Sequence, residues 1–235
     1  MKARTRMPNI FIGHPFRERF PVERFQGIFN QLPFGVLFGD RLKTNHLLTK
    51  VKSFIRWADY CVFDLTRWNP NVMLEVGLAE GMKQRQKEYY ILLNTKWSGD
   101  LPSDIKGFGR IEYESYDFNP DHGLGHHLVT QLLSKEPLVQ QIWKSIPEAG
   151  DGVIKRVLAL RILGDMRHRN QKIIALKDVQ RLARRTGLKK SDCEDVLKAL
   201  AKPGRYRFLK RKSMSRLNPT YALGKALFKR TNEPE

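Results

Sequence analysis

Glu75 is the residue whose surroundings most invite chemistry. From Val72 to Ala79 every other position is apolar or glycine. A lone carboxylate on a helix without a polar face is partly desolvated unless something pairs with it, and desolvation raises a carboxyl pKa. Groups shifted in that way gather at functional sites. Three roles are open to Glu75: catalysis, nucleotide binding without catalysis, and a structural pairing with Arg17, Arg67 or a backbone donor. Gly77 has no side chain and lets a ligand or neighbouring strand come close. His14 and Arg17 suit either phosphate or base contact or a plain surface position. Phe16 and Trp68 either pack in their loops or stack on a base, and Asp64 is either a loop cap or a catalytic group.

These residues need elements to position them. Asn9-Ile10-Phe11-Ile12-Gly13 is a short apolar run ending in glycine, the pattern of a buried parallel strand and its turn. Helical spacing follows from Val22 to Phe29 and stops at Pro33, and Gly35 to Gly39 reads as a second strand. Leu47 to Trp57 is amphipathic, with Leu48, Val51, Phe54 and Ile55 on one side. Tyr60 to Leu65 is a third strand, Asn71 to Met82 a helix, Tyr89 to Leu93 a fourth strand and Ile111 to Tyr113 a fifth. Asn69 caps the helix and Pro70 suits its first turn, where no backbone donor is needed. Leu124 to Trp143 reads as one closing helix. Strands alternating with helices imply a parallel sheet covered on both faces, with ligands beyond the carboxyl ends of the strands. Gly13-His14 and Asp64-Leu65-Thr66 fall there. No glycine-rich phosphate loop occurs, and the six His and two Cys show no metal-ligand spacing, so no metal is expected.

The run Asp64-Leu65-Thr66-Arg67-Trp68-Asn69-Pro70-Asn71-Val72-Met73-Leu74-Glu75-Val76-Gly77 resembles the signature of bacterial TIR-like and nucleoside 2-deoxyribosyltransferase-like domains. Ile10 to Phe16 is similar to their opening motif, and the likeness covers about residues 8–140. The resemblance implies a flavodoxin- or Rossmann-like α/β domain. It also implies that Glu75 acts on the N-glycosidic bond of a nucleoside, a nucleotide or NAD. Breaking a C1′–N bond develops oxocarbenium charge, which an adjacent carboxylate stabilises or attacks. A pyridinium leaving group needs no general acid, so one carboxylate suffices and no cofactor is required. The transferases also carry an aspartate shortly before the glutamate; here that neighbourhood holds Asn69 and Asn71, with Asp64 at the strand end. This departure puts glycohydrolysis ahead of transfer. Asn69 and Asn71 then bind ribose hydroxyls or orient Glu75, with Gly13, His14, Phe16, Arg17 and Asp64 completing the expected substrate site.

Beyond a Pro147–Gly152 linker the character changes. Residues 1–150 hold 20 Lys and Arg against 16 Asp and Glu; residues 151–235 hold 23 against 8. A field of that sign attracts polyanions. Val153 to Arg167 is helical, and Ala183 followed by Gly187 and Leu188 is the packing pattern of a helix-turn-helix whose second helix is Ser191 to Ala201. Tyr206 to Lys210 and Pro219 to Leu223 read as wing strands, so residues 152–235 resemble a winged helix after a first domain over 1–146. Arg184, Arg185, Lys189 and Lys190 flank the turn, and Arg205, Arg207, Lys210 and Arg211 lie on the wing, all candidates for DNA or RNA backbone. Asp192, Glu194 and Asp195 on the second helix oppose phosphate and argue against guanine reading, so structured or non-specific nucleic acid is favoured over an operator.

The domain order resembles the toxic N-glycosidase effectors of retron defence systems. That implies a nucleic-acid-controlled antiphage activity, with a reverse transcriptase and its DNA or RNA product among the partners. The runner-up is a nucleotide-sensing DNA-binding regulator; self-assembly fits a TIR-like domain that only assembles. No stretch reaches the roughly 18 apolar residues of a membrane span. The amino-terminal apolar run is too short for a signal peptide, and Cys61 and Cys193 lie far apart, so a reducing cytoplasm is the expected compartment.

Overall fold

The structure is a computed structural model that describes residues 8–15, 20–39, 47–82, 88–97, 109–147, 151–184, 186–202, 208–212 and 219–223. Contacts divide the described chain into two units. One is residues 8–29 with 34–128; the other is Asn30–Pro33 with the described residues from Val129 on. The segment 129–147 therefore groups with the basic part of the chain rather than with the sheet.

The first unit is α/β. Its elements are β1 (Asn9–Gly13), α1 (Val22–Phe29), β2 (Gly35–Phe38), α2 (Leu47–Trp57), β3 (Tyr60–Asp64), α3 (Pro70–Gly81), β4 (Glu88–Asn94), β5 (Arg110–Tyr113) and α4 (Leu124–His127). The five strands form one parallel sheet in the order β2-β1-β3-β4-β5. Every residue of β1 is buried, as a central strand covered on both faces must be. On one face Phe11, Phe63 and Ile91 pack with Val51, Phe54 and Ile55 of α2 and Val72, Val76 and Ala79 of α3. Leu48, expected on that stripe, stands half exposed. Elsewhere Phe25 and Phe29 of α1 meet each other, and Phe29 meets Phe38 edge-on.

The single helix expected over Leu124 to Trp143 is broken. After α4 the chain passes through a wide turn at Leu128–Leu132 and a tight one at Leu133–Lys135 before α5 (Pro137–Lys144). Proline disfavours helical backbone in the residue before it, and Glu136 is extended at ψ 126°.

The second unit continues with α6 (Gly152–His168), β6 (Ile173–Ala175), α7 (Leu176–Ala183), α8 (Lys190–Ala201), β7 (Leu209–Arg211) and β8 (Thr220–Leu223). The strands form an antiparallel sheet in the order β6-β8-β7. Val157, Leu158, Ile162 and Leu163 of α6 and Val196, Leu197 and Leu200 of α8 are buried. Asp178 and Asp192, three residues inside α7 and α8, accept from the backbone N–H of Ala175 and Lys189, satisfying donors that a helix start leaves open. Gly187 makes the turn between them at φ 74°, a conformation costly to residues with a side chain. Gly164 on α6 sits so close to the Gln31 carbonyl that a methyl group there would overlap it. Three α6 side chains fix the same segment: Arg161 to Gln31 Oε1 at 2.8 Å, Arg167 to the Pro33 carbonyl at 2.8 Å, and His168 to the Leu32 carbonyl at 3.0 Å. Among the described residues no helix is long and apolar enough to cross a membrane.

Candidate active site

In a sheet ordered β2-β1-β3-β4-β5 the direction of the crossovers reverses between β1 and β3, and the crevice beyond their carboxyl ends is where such folds place ligands. β1 ends there in Gly13, paired with Phe63, and β3 ends in Asp64, paired with Leu92. The chain leaves β3 through a tight turn, Thr66–Trp68, in which Arg67 and Trp68 take φ of 61° and 52°. Two successive side-chain-bearing residues in the left-handed region cost roughly 1–2 kcal/mol each. The Trp68 N–H to Leu65 carbonyl bond at 2.9 Å and the Arg67 guanidinium, 4.4 Å from the Trp97 ring centroid, hold them. Strain of this kind is found beside functional sites. Asn69 then starts α3: its Oδ1 accepts from the N–H of Asn71 at 3.0 Å and of Val72 at 3.4 Å, and Pro70 occupies the first helical position.

This start aims Glu75 back at the strand ends. Glu75 is 7% exposed, and its Oε2 is buried with no hydrogen-bond partner among the described residues. A side chain on Gly13 would overlap that oxygen, and one on Gly39, just past β2, would come within 3.3 Å of Oε1. The two glycines thus let the carboxylate lie against the ends of β1 and β2. Burial alone pushes its pKa from 4.5 to about 7. Arg67, a candidate structural partner by sequence, lies over Trp97 instead.

Asp64 has a different setting. Fully buried, it accepts from the Thr66 N–H at 2.8 Å, from the Thr66 hydroxyl and from the Tyr113 hydroxyl at the end of β5. The Thr66 hydroxyl accepts in turn from the Asn94 N–H at 3.0 Å, at the end of β4. Asp64 therefore ties the ends of β3, β4 and β5 to the turn that launches α3. Burial raises its pKa to about 6 despite those donors. Burial, together with the Asp64 carboxylate, pushes Tyr113 well above the usual tyrosine range.

His14 is also fully buried. Gln26 donates its amide to Nε2 at 3.3 Å, which leaves Nδ1–H to donate to the Pro15 carbonyl at 3.0 Å. The ring stacks on Phe20 with centroids 5.6 Å apart and touches Phe25 and Phe38. Of the expected substrate residues, then, Gly13 meets Glu75; Asn69 is the helix cap; Asp64 and His14 are engaged by protein groups; and Asn71 is exposed on the first turn of α3. Phe16 and Arg17 lie outside the described residues. Sequence alone does not single out Gly39 and Tyr113. The signal available for Gly39 is that β2, like β1, is an apolar run closed by glycine.

In the second unit Arg184 is exposed at the end of α7, Lys189 and Lys190 at the start of α8, and Lys210 and Arg211 on β7. Arg185, Arg205 and Arg207 fall outside the described residues. Asp192 takes Lys155 Nζ at 2.8 Å and Asp195 lies 3.6 Å from Lys198 Nζ, so two of the three acids on α8 are matched by lysines. Among the described residues no group of His, Cys, Asp and Glu converges on a metal position. Cys61 and Cys193 are each buried and form no disulfide. No family model, no curated protein and no solved structure matches this chain.

Proposed function

We propose that the sheet unit cleaves the N-glycosidic bond of NAD or a nucleotide, with Glu75 acting on the sugar. The observation that carries this reading is a buried carboxylate oxygen without a partner among the described residues, set where the parallel sheet reverses its crossovers. A carboxylate buried in this way is poorly solvated in the free protein, and the positive charge developing at C1′ supplies what it lacks. Interactions stronger in the transition state than in the ground state are the ones that accelerate a reaction. As the C1′–N bond breaks, the base leaves with the electron pair; a pyridinium becomes neutral nicotinamide. Glu75 stabilises the oxocarbenium or bonds to C1′, and water then adds there to give the free sugar hydroxyl, its proton passing to solvent when nicotinamide leaves and to the departing base when a nucleotide is cleaved. Asp64 and Tyr113 act as positioning residues that fix the turn before α3.

Residues 151–235 are read as a winged helix that binds DNA or RNA and controls the first unit, in the manner of a retron-type antiphage effector with a reverse transcriptase and its nucleic-acid product as partners. The turn between α7 and α8, the antiparallel pair β7–β8 and the cations around them support this. The engagement of His14 and Asp64 by protein groups favours a second reading, in which the site binds a nucleotide without turning it over. One experiment separates the two. The protein is incubated with NAD and with nucleoside monophosphates, alone and with nucleic acid, and free base is measured. Release by wild type and not by Glu75→Gln supports cleavage; saturable binding with no release from either supports the sensor.

A further inference from the structure

The second unit contains a cavity of about 650 Å³ lined by the turn that follows α5, one residue of α6, the carboxyl half of α8, and one residue each of β7 and β8. Its size lies within the roughly 300–1,000 Å³ of ligand pockets. The floor is apolar: Ile146, Val196 and Tyr221 are buried, with Pro147 and Ala199 beside them. The rim is cationic, with Lys155, Lys198, Lys202 and Arg211 against one lining acid, Asp195. Lys155 is committed to Asp192 at 2.8 Å. The Lys198–Asp195 pair, 3.6 Å apart and largely exposed, is of the kind that contributes little. An apolar slot with a positive rim fits a molecule that carries a flat uncharged part and a phosphate.

Resting on the winged-helix reading of this unit, we propose that the cavity takes an unpaired nucleotide of a single-stranded nucleic acid, with its base on the apolar floor and its flanking phosphates on Lys198, Lys202 and Arg211. This places recognition at the carboxyl half of α8 rather than at its acidic start, where Asp192 is already tied to Lys155 and to the Lys189 backbone. It removes the conflict between an acidic helix start and a polyanion. Ser145, the lining hydroxyl on the α5 side, donates to the Ile142 carbonyl at 2.7 Å. With an apolar floor and the Ser145 hydroxyl engaged, the base is held by apolar contact more than by edge hydrogen bonds, so binding is tolerant of base identity.

The test measures binding of fluorescently labelled oligonucleotides to the full chain by anisotropy, using a 12-nucleotide single strand, the matching duplex, and a mononucleotide as competitor. Wild type is expected to prefer the single strand by roughly tenfold at equal salt. Ala199→Trp, which fills the floor, lowers single-strand affinity by a similar factor and leaves duplex affinity unchanged. Lys202→Glu, on an exposed position at the end of α8, weakens the single strand without altering the fold, which circular dichroism checks. Equal affinity for duplex, or an Ala199→Trp variant that binds the single strand like wild type, overturns the proposal while leaving nucleic-acid binding intact. A mononucleotide that competes as tightly as the strand replaces it with a small-molecule site. Absence of all nucleic-acid binding removes the winged-helix reading as well.

Discussion

Replacing Glu75 with glutamine removes a charge that burial penalises, and the consequence for stability follows from linkage. The carboxyl has an ordinary pKa of 4.5 and is held at about 7 in the folded chain by desolvation. At 1.36 kcal/mol per tenfold change in proton affinity, ionising it in the native state costs about 3 kcal/mol more than in the unfolded chain. The folded state binds the proton more tightly, so stability is fullest below about pH 4.5. It falls between pH 4.5 and 7 and is level above. Glutamine cannot ionise and escapes that fall. Urea unfolding followed by tryptophan fluorescence reads the sheet unit, which holds Trp57, Trp68 and Trp97 of the four tryptophans. The variant is expected to match wild type at pH 4 and to exceed it at pH 8 by about 3 kcal/mol, roughly 1–2 M in urea midpoint. A variant equally or less stable at pH 8 would mean that the carboxylate has a partner worth its ionisation, and the reasoning from desolvation would fail.

Other outcomes follow from the same contacts. Gly13→Ala drives a methyl group into Glu75 and the Phe63 ring; it should abolish base release and cost roughly 1–3 kcal/mol in a melt, with secondary structure unchanged by circular dichroism. Tyr113→Phe removes a donor from Asp64, whose pKa burial has raised to about 6. The loss should be about 1–3 kcal/mol, larger at pH 8, where Asp64 is ionised, than at pH 4, where it is protonated; equal losses at both would contradict the assignment. Gly164→Ala should destabilise the second unit, although glycine to alanine inside a helix ordinarily gains up to about 1 kcal/mol, because the new methyl meets the Gln31 carbonyl.

Much of this architecture is legible in residue patterns, and the reasons are local. Short apolar runs mark β1 to β4, the alternation Ile111-Glu112-Tyr113 marks β5, and Asn69-Pro70 marks the start of α3, because strand patterning and capping are written in neighbouring residues. The isolation of Glu75 is visible as one acid among seven apolar or glycine neighbours. What escapes depends on distant pairing. β6 is three residues between two helices and is a strand through its pairing with β8. His14 looks like a ligand contact after a strand, yet Phe20, Phe25, Phe38 and Gln26 enclose it. Gly39 meets Glu75 because β2 sits beside β1, an order that spacing along the chain does not reveal. The break at Glu136 is readable, since Pro137 lies inside the helix that periodicity alone would draw.

Cleavage as proposed requires an ionised Glu75 at the sugar carbon. The pH dependence of kcat/KM for base release addresses that, since it reports the titration of the free enzyme. The expected profile for wild type rises with pH and levels off through an apparent pKa near 7, with Glu75→Gln inactive throughout. A rate that falls as pH rises through 7, or a Glu75→Gln variant that releases base along the wild-type curve, would contradict it.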